Sequence, residues 1–209
     1  RGVGFSPIHV IDVGAHRGSW TRVAMKVFPS AFFSLFEPQR TLLEAQTDLA
    51  GERIRKHYVG VGATTGVALF TQHSRPDSWT FSMDTVQAGQ FDFPQSMTKV
   101  VSLDDFLATS DWPAPDMLKI DAEGWDLEVL QGASSVLGGT EVVLIEAGVN
   151  NPYFQNSAIS VMTALDRAGF SLFDVTALIR NKKQKALWNV ELAFVKKNGQ
   201  LRRAFSSYE

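Results

Sequence analysis

Two short segments carry residues whose types and spacing could do chemistry. The first is Asp12-Val13-Gly14-Ala15-His16-Arg17-Gly18, set between an apolar run and a segment with helical spacing. Glycine reaches backbone angles closed to other residues and has no Cβ to block a ligand. Free backbone N–H groups at the start of a helix attract a carboxylate or phosphate. The spacing D-x-G-x-x-x-G lacks the first glycine of the dinucleotide fingerprint G-x-G-x-x-G. It suits a methionyl group better than a pyrophosphate, and a plain strand-to-helix turn with a glycine cap is the competing reading. Glu37 adds to the first reading. It ends the next apolar run, about 20 residues further on, where an acid can accept hydrogen bonds from both hydroxyls of a ribose. Pro38 then turns the chain away. Glycine loop and acid in this order point to an adenosine-bearing cofactor, S-adenosylmethionine, held by Asp12, Gly14, Ala15, His16, Gly18, Glu37 and Pro38.

The second segment is Lys119-Ile120-Asp121-Ala122-Glu123-Gly124. In an extended chain the alternation puts Lys119, Asp121 and Glu123 on one face. A charge inside a strand is costly unless paired, so Lys119 is expected to pair with Asp121 or Glu123. Asp121 and Glu123 are the candidate catalytic residues, because a carboxylate here could position or deprotonate an acceptor hydroxyl. A structural ion pair at a strand end fits the same residues equally well. Glu146 closes the apolar run Val142-Val143-Leu144-Ile145 and, with Asp121 and Glu123, could hold Mg²⁺ through hard oxygens. No feature demands a metal, and none is expected. The stretch Ser78-Trp79-Thr80-Phe81-Ser82-Met83 could wall a pocket, but an edge strand with its aromatics in the core is the expectation. His16, His57 and His73 each read as surface or core residues rather than a catalytic base; His16, in the loop, is the best placed of the three for chemistry.

Composition narrows the classes. The chain has 209 residues, 44% hydrophobic and 20% charged, with a net charge of -2. That fits one ordinary α/β globule and calls for neither nucleic acid nor an anionic surface as the main partner. A local basic patch at Arg180, Lys182, Lys183 and Lys185 reads as a solvated loop. The absence of cysteine rules out disulfides, thiolate zinc and a cysteine nucleophile. No apolar run reaches membrane-spanning length and no signal peptide is evident, so a cytoplasmic location is expected.

These residues must be positioned by strands and helices in alternation. The patterns predict strands over residues 8–13, 31–36, 57–61, 117–121, 141–147, 170–175 and 190–196. Helices are expected over 19–28, 39–49, 126–137 and 158–168. Between them, residues 67–71, 79–83 and 98–103 read as short strands, 84–96 as a loop and 103–108 as a short helix. Residues 67–103 would be a β insertion or lid within a single domain spanning 1–209. Such alternation implies a mainly parallel sheet with helices on both faces. Ligands bind at the carboxyl edge of such a sheet, where Asp12, Glu37, Asp121 and Glu146 fall.

Taken in order, Ile11-Asp12-Val13-Gly14-Ala15, Phe36-Glu37-Pro38, Ser102-Leu103-Asp104-Asp105-Phe106, the block from Leu118 to Ala133 and Val143-Leu144-Ile145-Glu146 resemble the FkbM-type S-adenosylmethionine-dependent methyltransferases. K-I-D-x-E-G followed by L-x-G-A is the most specific piece. The resemblance implies a Rossmann-like seven-stranded sheet with the last strand antiparallel. It implies O-methylation of a hydroxyl on a sugar, glycolipid or polyketide-like metabolite, with a small molecule or glycan as acceptor. By the same resemblance Asp12, Gly14 and Gly18 would line the methionine side, Glu37 would hold the ribose, and Asp121 and Glu123 would face the reacting methyl. His16 and Arg17 depart from the small or amide residues usual in the loop. Val59-Gly60-Val61-Gly62 offers an adenine only backbone groups. A nicotinamide-dependent oxidoreductase and a non-catalytic binding module of the same fold are the competing functions.

Overall fold

The computed structural model describes residues 4–74, 79–151 and 156–204. The chain opens with β1 (His9–Val13), α1 (Ser19–Val27), β2 (Phe32–Phe36), α2 (Arg40–Glu44) and β3 (Ile54–His57). There follow β4 (Gly60–Val61), β5 (Gly66–Thr71), α3 (Thr85–Gly89), β6 (Gln95–Val101) and α4 (Leu103–Ala108). The second half holds β7 (Met117–Ile120), α5 (Asp126–Gln131), α6 (Ser134–Gly139), β8 (Val142–Gly148), α7 (Ala158–Arg167), β9 (Phe170–Arg180), β10 (Leu187–Lys196) and α8 (Gln200–Ala204).

Seven strands form one sheet in the order β3-β2-β1-β7-β8-β10-β9. The contacts among β3, β2, β1, β7 and β8 are all parallel, while β10 runs antiparallel to both of its neighbours. This is the Rossmann-like, mainly parallel α/β sheet expected, with the last strand reversed. β1 and β7 are buried along their whole length, which explains why they read as unbroken apolar runs. Alternate residues of β1 serve opposite faces. Ile11 joins Leu118, Val143, Ile145 and Phe194 under α5, α6 and α7. Val10 joins Phe33, Leu35 and Met117 under residues of α1, α2 and α8. After β3 the chain crosses to the other side of β1 to make β7, so the strand order reverses at the carboxyl ends of β1 and β7, where such sheets bind ligands.

Several boundaries differ from the sequence patterns. The third strand is Ile54–His57, partly exposed at the sheet edge, and residues 60–61 leave it to pair with Val100 and Val101. A second sheet, β4-β6-β5, results. The predicted helix 39–49 stops at Glu44, with residues 45–49 in turns. The predicted helix 126–137 is broken at Gly132 and Ala133. A Cβ on Gly132 would lie 2.0 Å from the Gly62 carbonyl oxygen, and the Asp104 carboxylate accepts from Ser135 N and Val136 N at 3.0 Å to start α6 anew. Residues 84–96 are not a plain loop. Asp84 and Gln87 form a capping box that starts α3. Residues 79–83 are no strand and make only one bridge, Thr80 to Thr71; Ser78 lies outside the described residues. No helix among the described residues is long and apolar enough to cross a membrane.

Candidate functional site

The site is built on the neighbouring strands β1 and β7, whose register pairs Asp12 with Lys119. Both side chains are buried. Lys119 Nζ lies 3.2 Å from Asp12 Oδ1 and 3.5 Å from Asp121 Oδ2. It also donates to the Val13 and Gly14 carbonyls at 3.4 and 3.2 Å. Asp12 Oδ2 accepts from Thr21 Oγ1 of α1 at 2.5 Å. Burial works against the ammonium charge, but the Asp12 and Asp121 carboxylates outweigh it and hold the Lys119 pKa above its ordinary value. The expected pairing with Asp121 is present. The alternation does not extend to Glu123, because β7 ends at Ile120 and Glu123 turns left-handed at φ 50°.

The glycine loop has a different economy from the one its sequence suggests. Gly14 and Ala15 both donate their N–H to the Phe36 carbonyl at 3.0 Å, and Gly18 N donates to Ala15 O at 2.6 Å. His16 N donates to Glu37 Oε2 at 2.8 Å. These amides are satisfied within the protein rather than turned free toward a ligand. Gly14 sits at φ 73°, and a Cβ there would come within 1.8 Å of the Asp121 carbonyl oxygen. Its missing side chain therefore lets β1 and β7 close together at their carboxyl ends. Gly18, at φ 69°, makes room for Leu49, whose Cδ1 would lie 2.1 Å from a Cβ. Glu37 ties this loop to the next one, since Oε1 accepts from Gln39 N at 2.8 Å. Burial raises its pKa, and the amides of Gln39 and His16 oppose the rise.

Above these residues lies a cleft of about 710 Å³, counting the space open to solvent. Gly14, His16, Glu37 and Pro38 bound it on one side and Asp121, Ala122 and Glu123 on another. Val59, Gly60 and Val61 contribute a third wall, and Val13, Phe36, Gln39, Phe70, Trp79 and Phe81 complete it. Of the residues singled out by sequence, Gly14, His16, Glu37, Pro38, Asp121 and Glu123 thus meet at one cleft. Asp12, Ala15 and Gly18 do not line it. Asp12 lies beneath, anchoring Lys119, and Ala15 and Gly18 pack the loop against its surroundings.

The aromatic wall is what sequence reasoning missed. Residues 79–83 were expected at a sheet edge with their aromatics in the core. The core expectation holds for Phe81, which is buried with Phe70 and Val100 and packs 4.5 Å from the Phe70 ring, with Trp79 against that cluster; both aromatics also line the cleft. Thr80 Oγ1 donates to the Glu123 carbonyl at 2.6 Å and Trp79 Nε1 to the His73 carbonyl at 3.0 Å, so the segment is fastened over the end of β7. The alternation of hydroxyls and aromatics was the available signal. Gly60 permits the approach, since a Cβ there would meet the Phe81 ring at 2.6 Å.

Two further carboxyl groups face Asp121 from behind. Asp126 is buried at the start of α5 and accepts from Ala122 N at 3.0 Å, Gly124 N at 3.1 Å and Asn156 Nδ2 at 2.6 Å. Burial, helped by the Asp121 charge, pushes it up to about 7. Glu146 is pushed up to about 8, by burial and by the Asp121 charge, against a hydrogen bond from Asn189. The Mg²⁺ site imagined for Asp121, Glu123 and Glu146 is not assembled: among the described residues no three acids or histidines are placed to hold a metal. His57 stacks on Phe36 at 4.6 Å and is lowered to about 4 by burial, a neutral packing residue.

With this geometry in view, comparison with known proteins is decisive at the level of family. Residues 12–172 match the methyltransferase FkbM domain. The chain belongs to the FkbM methyltransferase family. A 58-residue stretch is 40% identical to the hexuronic acid methyltransferase AglP of Haloferax volcanii, covering 26% of this chain and 24% of that protein. Among solved structures, the methyltransferase FkbM from Methylobacillus flagellatus KT superposes with a TM-score of 0.54 at 20% identity, over 89% of this chain and 43% of that one. Magnesium protoporphyrin IX methyltransferase from Synechocystis PCC 6803, solved with bound S-adenosylmethionine, gives 0.53 at 10% identity, over 92% of this chain and 72% of that one. The FkbM domain described here therefore spans under half of its solved FkbM relative. These structural likenesses establish the Rossmann-like methyltransferase fold.

Proposed function

We propose that this FkbM protein is an S-adenosylmethionine-dependent methyltransferase that methylates a hydroxyl of a sugar, glycolipid or polyketide-like metabolite. The observation that carries the reading is the cleft at the switch in strand order, which has the Glu37 carboxylate on one wall and the Asp121 carboxylate on another. The residues present fit the cofactor. Glu37 keeps acceptor capacity beyond its two amide contacts for ribose hydroxyls. The apolar side chains of Phe36, Val59 and Val61 suit a flat base, which matches a site offering that base only backbone groups. When bound, S-adenosylmethionine would supply a methyl group on a sulfonium, whose C–S bond breaks as the methyl is transferred and whose sulfur leaves as a neutral thioether.

The protein's part is then alignment and proton removal. Holding the acceptor in line with the methyl group is worth several orders of magnitude in rate. Asp121, whose side chain is 41% exposed in the cleft, takes the acceptor hydroxyl proton as the new C–O bond forms. Lys119 offsets the negative charge gathered by Asp12 and Asp121. Trp79, Phe81 and Phe70 keep water from the reacting atoms. Glu123 fixes the residue 79–83 segment through its carbonyl and borders the acceptor space with its side chain. A sugar acceptor is in keeping with the name of the hexuronic acid methyltransferase that shares the aligned stretch.

The test is Asp121→Asn, read by calorimetry and by transfer of labelled methyl to a panel of glycans, glycolipids and polyketides. Retained cofactor affinity with transfer reduced at least about a hundredfold supports the base assignment. Lost affinity would make Asp121 a cofactor contact instead. Thermal stabilisation by NAD, with none by S-adenosylmethionine or its demethylated product, would overturn the methyltransferase reading in favour of an oxidoreductase.

A further inference from the structure

The basic patch at Arg180, Lys182, Lys183 and Lys185 acquires a place in the fold. It forms the tip of the β9–β10 hairpin, built around Asn181, whose Oδ1 accepts from Lys183 N at 2.9 Å and Gln184 N at 3.1 Å. Asn181 N donates to Ala186 O at 2.9 Å and closes the turn. Because β10 runs antiparallel to β8, with Asn189 opposite Gly148, this tip lies at the carboxyl edge of the parallel strands, the edge that carries the cleft. β7 ends opposite Ile145, which pairs with Leu192. The hairpin therefore runs about five residues past the end of β7, on the order of 16 Å of strand.

Two properties of the tip occur together. All four cations are exposed, and none takes part in an ion pair among the described residues. Directly behind them, Leu178 is 58% exposed and Ile179 38%, and Val149, whose N–H donates to the Trp188 carbonyl beside them, is 42% exposed. A charge cluster alone is a solvated loop. Cations backed by bare aliphatic side chains, with a half-buried tryptophan at the same level, match the requirements of an anionic lipid interface, where apolar groups enter the headgroup boundary and cations meet the phosphates. A nucleic-acid backbone would use the lysines but leave the aliphatic residues unexplained.

We propose that the tip of the β9–β10 hairpin docks on an anionic lipid surface, with Leu178, Ile179 and Val149 entering the interface, so that the cleft edge faces the membrane. This surface does not depend on the methyltransferase reading, and its test uses no turnover.

The experiment is co-sedimentation of the full chain with vesicles of phosphatidylcholine alone and of phosphatidylcholine with phosphatidylglycerol in about a 2:1 ratio. Wild type pellets with the mixed vesicles at low salt and is released near 0.5 M salt, about where screening shortens to a few ångströms. At about fivefold per cation, K182Q/K183Q/K185Q lowers the partition coefficient roughly a hundredfold. L178S/I179S lowers it about tenfold or more without changing the salt dependence. Both variants keep the wild-type melting temperature to within about 1–2 °C, since the residues are exposed. Failure of wild type to pellet, equal pelleting with neutral vesicles, or undiminished pelleting of the lysine variant would each overturn the proposal. So would lysine-dependent binding of a DNA or RNA duplex in place of vesicle binding.

Discussion

Replacing Lys119 with Met removes one buried cation and leaves the methylene stem nearly filled. The consequence falls on Asp12, which is fully buried and whose side chain, among the described residues, is otherwise held by the hydrogen bond from Thr21. Removing one partner of a buried pair costs about 3–5 kcal/mol, because the other charge is left uncompensated. Asp121 adds little to that figure, since its side chain is 41% exposed and solvated. For a chain of this size each kcal/mol moves the midpoint by about 2–4 °C, so Lys119→Met melts roughly 6–20 °C below wild type. Denaturant unfolding followed by circular dichroism at pH 7 measures the loss directly. The double variant Asp12→Asn/Lys119→Met removes both charges and loses less than the sum of the two singles, by about 1–3 kcal/mol. A loss below about 1 kcal/mol for Lys119→Met, or strict additivity in the cycle, would refute the claim that this pair holds β1 to β7. The raised Lys119 pKa gives the pH sign. Its contribution is whole below the unfolded value of about 10.4 and is lost only as pH rises through the higher folded value.

Gly14→Ala places a Cβ against the Asp121 carbonyl at a left-handed backbone position; at least about 2–3 kcal/mol of stability is lost, measurable by denaturant unfolding. Asp104→Ala removes the acceptor for Ser135 N and Val136 N that starts α6, costing about 1 kcal/mol in the same assay. Glu37→Gln lowers S-adenosylmethionine affinity about tenfold or more by calorimetry, the difference between a charged and a neutral acceptor. Asp126 at about 7 and Glu146 at about 8 both lie above their unfolded values. The folded state therefore binds more protons, and stability falls as pH rises through these values, by at most about 1.4 kcal/mol per unit for each group. His57, lowered to about 4, acts in the opposite sense below its unfolded value of about 6.5. His57 offsets only one of the two carboxyl groups, so the decline in melting scans is steepest just above about pH 6.5 and ends near about pH 8, and Glu146→Gln should flatten its upper part.

The parallel core was legible because β1, β7 and β8 are apolar runs, each ending in or followed by an acid at the same sheet edge. Glu37 was legible for the same reason. Long-range contacts were not. Nothing local marks Gly132 as the point where the Gly62 carbonyl breaks a helix, or Gly14 as the point where Asp121 needs space. Loop glycines read as ligand contacts were partly packing devices, and the N–H groups assigned to a ligand were already taken by Phe36 and Glu37. Residues 79–83 carry a strand-like alternation, yet their place is set by hydrogen bonds to Glu123, 43 positions away in sequence for Thr80. The small sheet was recognisable only in fragments, because β4 has two residues and draws its partners from β6.

In the proposed function this cleft holds S-adenosylmethionine through Glu37. Titration calorimetry of the wild-type protein with S-adenosylmethionine, with NAD as the control, tests it most directly. Saturable one-site binding of S-adenosylmethionine, weakened about tenfold or more in Glu37→Gln, is expected, with no binding of NAD. Binding of NAD with none of S-adenosylmethionine, or S-adenosylmethionine binding unchanged in Glu37→Gln, would contradict it.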